Sequence, residues 1–524
     1  MAMKKNLLLF FFLYLFVIPT HAQQKPKPKL VVGIVVDQMR TEYLYRFYDQ
    51  FGKNGFKRLM RDGFNCRNVH FNYIPTYTGP GHASIWSGTT PAYHGIVGND
   101  WYDRSTKKII NCVSDSTEQV VGIKLNNKGV SARKLLSTNL ADELKLATNQ
   151  HAVVLAISLK DRAAVLPAGH MANAAYWFNV DSGSFVSSTF FMKNLPDWAL
   201  NFNKDNKKYL QNPWKQALPG ASYVGSENLK PDFNYPIDNF AKVYSSIYGN
   251  TIVTDFAIEA LQKERLGTGT NTDLLAISFS SPDAVGHQYG PLSRETNDLY
   301  LRLDQDLARI LDALDLAVGA GNYLLFLTGD HGVAEVPQFL TDHGVPAGYL
   351  NTAGLKADAI AFLNKKLGEG KWIELEINEQ YYLNRVLIEE KGLKLEDIQD
   401  LLADFLRKQK GVFQVYTATQ MMEQNYTQIL SSKLQSGFLY KRSGDVLYTM
   451  EPGWIEQMSA GSTHGSGYAY DTQVPLLWFG NGIPKGESYE LYEITDIVPT
   501  IALKLGIKLP NATTGKGIGV LLNP

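Results

Sequence analysis

The sequence predicts an α/β fold, a three-layer sandwich around a mostly parallel central sheet. Three observations carry that prediction. Short, wholly apolar runs recur along the chain, as in strands buried on both faces. Helical periodicities lie between them, which is the alternation of a doubly wound sheet. Most of the runs stop on titratable residues, and ligands bind beyond the carboxyl ends of such strands.

The elements follow in order. "LVVGIVVDQM" gives a strand from Leu30 to Val36 that ends at Asp37. "HAVVLAISLKDR" gives a strand over His151 to Leu159, followed by Lys160 and Arg162. "DLLAISFSSPDAVGH" gives a strand near Leu274 to Phe279, then Asp283 and His287. "NYLLFLTGDHG" gives a strand from Tyr323 to Leu327, then Asp330 and His331. A fifth run, "VPLLWFG" from Val474, differs because its histidine, His464, arrives on the loop before it. Ser293 is placed to cap a helix whose Leu299, Leu303, Leu307, Ile310, Leu311 and Leu314 share one face.

The chain has 524 residues, with Lys+Arg and Asp+Glu both at 51. A chain this long buries a large core, and the balanced charge lacks the basic excess of a nucleic-acid binder. The N-terminus reads as a signal peptide over residues 1–22: Lys4 and Lys5, an apolar run from Leu7 to Ile18, then "THA" ending at Ala22. An uncleaved anchor is the alternative, but the run is shorter than the about 20 residues a span needs. No cysteine lies near the cleavage point, which argues against a lipoprotein. Residues 23–29 then form a flexible start, and 30–524 the catalytic domain. The expected location is periplasmic or secreted, with no stable membrane anchor and no protein partner. Cys66 and Cys112 are the only cysteines; they permit one disulfide but no Cys-rich zinc site.

Asp37, Asp283, His287, Asp330, His331 and His464 mix carboxylate with imidazole, a donor set that suits zinc, and six ligands suffice for two ions. The alternative is a set of unrelated turn and cap residues. "YTGPGHASIWSGTTP" places Thr78 before a helix that Pro80 starts and Gly88 ends, so Thr78 is a candidate N-cap at an anion-attracting helix terminus. As a nucleophile its hydroxyl would need a metal to lower its pKa; as a plain cap it would need nothing.

Taken together, "DQMR", "YTGPGHASIWSGTTPAYHGIVGN", "SPDAVGHQYGP", "TGDHG" and "THG" resemble, in that order, the alkaline phosphatase superfamily. The resemblance is to its threonine-nucleophile branch, which holds nucleotide pyrophosphatases/phosphodiesterases and the phosphate-irrepressible bacterial alkaline phosphatases of the PafA type. It spans nearly all of the mature chain, and "ITDIVPTIALKLGI" resembles the superfamily's last helix. The resemblance implies two Zn2+ ions. Asp37, Asp330 and His331 would hold the one that also binds the Thr78 oxygen; Asp283, His287 and His464 would hold the other. Thr78 would form a phosphothreonine that water hydrolyses, with the Gly79 N–H as an extra donor.

The resemblance also implies that Asn99, Lys160 and Arg162 touch phosphoryl oxygens. A Lys–Arg pair suits a monoester dianion, whereas diesterases of the branch tend to present an apolar pocket. Read alone, "KDR" favours a solvated turn with an internal ion pair; only the full set of motifs reverses that. The implied activity is an exported, zinc-dependent phosphate monoester hydrolase of broad specificity, acting on small molecules and not nucleic acid. The alternative is a phosphodiesterase/nucleotide pyrophosphatase. A sulfatase is disfavoured because the Cys/Ser-x-Pro-x-Arg setting is absent around Thr78. A non-catalytic metal- or phosphate-binding protein is the reading from a different class. His82 and His94 read as helix-packing or turn residues.

Two insertions are expected, at about 170–265 and 345–455. In the second, "KWIELEINEQYYLNRVLIEE" reads as strands, and "LEDIQDLLADFLRKQKG" as an amphipathic helix with Ile398, Leu401, Leu402, Phe405 and Leu406 on one side. It forms an α+β cap over the site or a subdomain that stabilises without touching substrate. The first insertion is expected to add loops at the cleft mouth.

Overall fold

In a computed structural model of the chain, which describes residues 27–123, 128–219, 222–224, 232–458 and 460–522, the apolar runs are strands. The expected signal peptide lies outside the described residues. Leu30–Val36, Asp273–Phe279 and Tyr323–Gly329 are buried at every position. They lie side by side and parallel, with Asp273–Phe279 and Tyr323–Gly329 flanking Leu30–Val36. Val154–Ser158 and then Ala174–Asn179 extend the parallel set. Side chains alternate between faces: Leu30, Val32, Ile34 and Val36 enter one core, and Val31 and Val35 enter the other. Ile247–Lys263 and Arg294–Ala317 cover the first face, and Thr78–Ser87, Asp161–Ala168 and Ile497–Leu505 the second. Ser293 caps the longest of these helices by accepting from the Thr296 N–H, and its six expected apolar residues are all buried.

Among the described residues the sheet has eleven strands, and antiparallel pairs enter on both sides of the parallel set, although the edge strand Gly486–Glu493 runs parallel to Phe64–His70. That explains the histidine that precedes its strand. Gln473–Gly480 runs antiparallel to Tyr323–Gly329, pairing Leu476 with Thr328. Its beginning therefore lies at the carboxyl end of the parallel strands, and the loop carrying His464 arrives on the same side as the others.

The first expected insertion needs correction. Ala174–Asn179 and Ser184–Ser188 are strands of the main sheet, and Ile247–Lys263 packs beneath it, so the excursion is confined to the residues between 189 and 246. Lys29 also departs from expectation: its N–H donates to the Asn322 carbonyl (2.7 Å) and its carbonyl accepts from Asp273 N–H (3.0 Å), which fixes it to the sheet. Cys66 and Cys112 are free, buried thiols. The helix expected from "ITDIVPTIALKLGI" ends at Gly506 in the left-handed region, and a short helix, Gly519–Leu522, follows it. Among the described residues, no helix is long and apolar enough to cross a membrane.

Residues 348–456 build a second layer with its own core, which includes Leu363, Trp372, Leu402 and Leu406. Its four-stranded sheet contains Ile373–Ile377, Gln380–Leu383, Val412–Thr417 and Val446–Met450. The expected strand run stops at Leu383. Arg385–Glu390 is helical because the Asn384 side chain caps it by accepting from Leu387 N–H. Asp445 ties this unit to the main domain: wholly buried, it pairs with Arg385 (2.6 Å) and with Arg104 (3.1 Å). Removing one partner of a buried ion network strands the other charges. Asp445→Ala is therefore expected to destabilise by about 3–5 kcal/mol, read from urea unfolding.

Candidate active site

Strand register brings the site residues to one level. Val36 pairs with Phe279 on one side and Gly329 on the other, and Ser278 pairs with Ser158. One residue beyond the Val36 level on each strand come Asp37, Ser280, Asp330 and Lys160. Asp283 and His287 follow on the helix Ser281–Tyr289, separated by one turn and so on one face. His464 completes the group from the antiparallel side.

Thr78 is the first residue of its helix, not the cap. Tyr77 holds the cap position with extended backbone, and Gly88 closes the helix in the left-handed region. The whole helix is buried, and the small residues of "GPGHAS" allow this: a Cβ on Gly81 would come within 2.4 Å of the Asp330 carbonyl oxygen. The Gly79 N–H, expected to face the substrate, donates instead to Asn99 Oδ1 at 2.7 Å. This corrects its role: Gly79 orients Asn99, whose Nδ2 meets no protein partner among the described residues and remains a donor.

Lys160 lies at the centre. Its Nζ is 2.7 Å from Asp37 Oδ2, 2.7 Å from Asp283 Oδ2 and 3.3 Å from Thr78 Oγ1. Arg162 lies two residues on, its Nε buried without a partner. Around them, His331 Nε2 is 3.3 Å from Asp37 Oδ1, His287 Nε2 is 3.0 Å from Asp283 Oδ1, and His464 Nε2 is 3.5 Å from that same oxygen. Burial opposes the charge on Asp283, but Lys160 and His287 outweigh it and hold the carboxyl well below its usual range. Burial and the neighbouring Asp37 push Asp330 well above it. Burial, with the neighbouring His331, takes His464 down to about 3 despite Asp283.

The residues fit a metal centre on an observation independent of any ion. Asp37 Oδ1, Asp330 Oδ2 and His331 Nε2 are buried without hydrogen-bond partners. The Nδ1 atoms of His287, His331 and His464 each face a carbonyl, of Ser462 (2.8 Å), Gly332 (2.9 Å) and Thr76 (2.8 Å). A carbonyl only accepts, so each Nδ1 carries a proton and, in the neutral ring, Nε2 is the atom left to bind a metal, the orientation of a metal-bound histidine. The ligand atoms of Asp283, His287 and His464 lie within 4.8 Å of one another, as do those of Asp37, Asp283 and His331. Asp283 thus stands where Asp330 was expected in the second trio, although Asp330 Oδ1 is 3.7 Å from His331 Nε2.

Several site residues escaped the sequence reading. Gln38, at φ 62°, donates its backbone N–H to Asp330 Oδ1 (3.1 Å) and its Nε2 to Asp283 Oδ1 (2.8 Å). Gly286 makes room for it, since a Cβ there would come within 1.7 Å of Gln38 Oε1. His82, read as a packing residue, stands behind Asp330 with its Nε2 3.6 Å from Oδ2. No propensity signal marks either one. Gln38→Ala is expected to lower kcat about tenfold, the size of a lost support to a ligand, with zinc affinity measured by chelator competition falling in parallel. The second layer also reaches the site: Asn378 Nδ2 donates to the Asp100 carbonyl (2.8 Å), beside Asn99, and Tyr77 OH donates to Glu379 Oε2 (3.2 Å), beside Thr78.

Comparison with known proteins agrees with this geometry. The family model for type I phosphodiesterase / nucleotide pyrophosphatase matches residues 31–469. The chain is 39% identical over 515 residues to alkaline phosphatase PafA of Elizabethkingia meningoseptica, covering 94% of each. It is 38% identical to alkaline phosphatase PhoV of Synechococcus elongatus, covering 95% of this chain and 94% of that protein. A crystal structure of wild-type alkaline phosphatase PafA superposes with a TM-score of 0.90 at 39% identity, over 95% of this chain and 99% of the other.

Proposed function

Since the chain belongs to the type I phosphodiesterase / nucleotide pyrophosphatase family, we propose that it is an alkaline phosphatase, releasing inorganic phosphate from small phosphate monoesters through a phosphothreonine at Thr78. The observation that carries this reading is the position of Lys160 Nζ, in contact with Thr78 Oγ1 and with carboxylates of both ligand trios. A charged donor beside the nucleophile serves a phosphoryl oxygen that bears full charge, as in a monoester dianion; a diester places an organic group there.

Asp37, Asp330 and His331 on one side, and Asp283, His287 and His464 on the other, would hold two zinc ions, which supply the positive charge that lowers the pKa of the Thr78 hydroxyl and of the hydrolytic water. Thr78 Oγ1 forms the new bond to phosphorus as the alcohol departs. Asn99 Nδ2, the Lys160 ammonium and the Arg162 guanidinium hold the non-bridging oxygens and keep the phosphoryl group in line with Thr78. Water then takes the phosphoryl group from Thr78, and phosphate leaves. Burial of Thr78, Asp37, Asp330 and His331 excludes bulk water from the attacking side. The "THA"-terminated leader supports export to the periplasm or beyond the cell.

Chelation tests the metal part of this reading. Dialysis against a strong chelator is expected to abolish p-nitrophenyl phosphate hydrolysis and zinc to restore it. At a hundredfold excess over Kd, zinc adds about 2.7 kcal/mol of stability, so the melting temperature rises on reloading. An apo protein that melts at the same temperature with and without zinc would refute the site.

A further inference from the structure

A cavity of about 60 Å³ lies in the seam between the second layer and the main domain, outside the phosphoryl-contacting residues. Its wall contains the carboxylates Glu379, Glu456 and Asp471, the rings of Tyr77, Tyr448, Trp454, Tyr468 and Tyr470, and no lysine or arginine. Asp471 is buried, and its Oδ1 has no hydrogen-bond partner; its Oδ2 is used up by the N–H groups of Gly465 and Ser466 and the Ser466 hydroxyl. Burial, then the neighbouring Glu376, Glu456 and Asp471, push the Glu379 carboxyl up to about 8. Acids gathered without a counter-charge, one of them holding an unused buried lone pair, are complementary to a cation.

Two features decide which kind of cation. A hard metal ion needs converging oxygens at short range, and these carboxylates are not among the clusters of three whose ligand atoms approach within 4.8 Å. Aromatic walls beside separated carboxylates suit an organic ammonium, held by ring faces and by charge. The volume admits an ammonium head with its first carbons, or a few waters.

The cavity also adjoins the reacting centre. His464 belongs both to its wall and to a ligand trio. Tyr77 lies between Thr78 and Glu379, its ring edge-on to His464 at 5.6 Å. The cavity wall thus includes the chain neighbour of the nucleophile and one member of the ligand trio.

We propose that this seam cavity is a subsite for a primary or quaternary ammonium group on the leaving alcohol, so that amino-alcohol phosphates are preferred among the monoesters hydrolysed; this rests on the phosphomonoesterase reading above. The reaction stays a hydrolysis, in which water adds across the P–O bond to give the amino alcohol and phosphate.

The test compares two near-isosteric substrates, phosphoethanolamine and 2-hydroxyethyl phosphate, on the zinc-loaded full chain. The wild type is expected to favour phosphoethanolamine in kcat/KM by at least tenfold. In Glu456→Gln, at the exposed rim, that ratio is expected to fall severalfold or more, with 2-hydroxyethyl phosphate hydrolysis retained; in Glu379→Gln, which also alters the acceptor of Tyr77 OH, the ratio is expected to fall whatever the overall rate. A wild-type ratio near one overturns the proposal, as does a ratio unchanged in both variants or an equal loss on both substrates. Failure to hydrolyse any monoester would instead sink the phosphatase reading, so the two failures are distinguishable.

Discussion

Thr78→Ala is expected to lower kcat/KM for p-nitrophenyl phosphate by at least ~10³, with the protein still folded and still binding zinc. The size follows from what the hydroxyl does. Without it no covalent intermediate forms, and the residual rate is that of water attacking a positioned phosphoryl group. The structural cost is small: Thr78 is not the helix cap, and its Oγ1 makes one long contact, 3.3 Å to Lys160. Thr78→Ser restores an oxygen and is expected to recover most of the activity. Acid quenching during turnover, followed by peptide mass analysis, should find phosphate on Thr78 in the wild type and none in the alanine variant. Alanine activity within about tenfold of wild type would remove Thr78 as the nucleophile and return it to a helix-terminus residue.

How far this site could be read from sequence depended on how each residue is positioned. Asp37, Lys160, Asp283 and Asp330 were legible because each stands at or just past the end of an apolar run, and strand register then fixes their common level. The margins of the sheet were less legible. A buried antiparallel strand such as Gln473–Gly480 has the same apolar pattern as a parallel one, so only the position of His464 hinted at the reversal. Ala174–Asn179 and Ser184–Ser188 were assigned to an insertion because nothing local distinguishes an added sheet strand from a loop-borne one. The Gly79 amide was misread because its competitor, Asn99 Oδ1, lies twenty residues away and the contact is tertiary. Gln38 and Glu379 act through left-handed backbone, at φ 62° and 54°, which neither residue type favours. Such positions are stable only in a surrounding structure that a one-dimensional pattern does not contain.

The second large effect separates monoester from diester chemistry. Lys160→Ala and Arg162→Ala together are expected to reduce kcat/KM for p-nitrophenyl phosphate by ~10²–10⁴, and for bis-p-nitrophenyl phosphate by less than about tenfold. A hydrogen bond to a charged group contributes about 1.5–3 kcal/mol, and two give ~3–6 kcal/mol, which is that range of rates at 1.4 kcal/mol per decade. The diester lacks the second negative charge and loses little. Lys160 has one further consequence: its ammonium is 2.7 Å from both Asp37 and Asp283, so removing it leaves two buried carboxylates facing each other. Lys160→Ala is therefore expected to lose more stability relative to the wild type without zinc than with it, and Arg162→Ala, whose Nε has no protein partner, to show no such difference. Equal losses on both substrates would mean that these residues only hold the site together, and a gain on the diester alone would favour the phosphodiesterase reading of the same nucleophile.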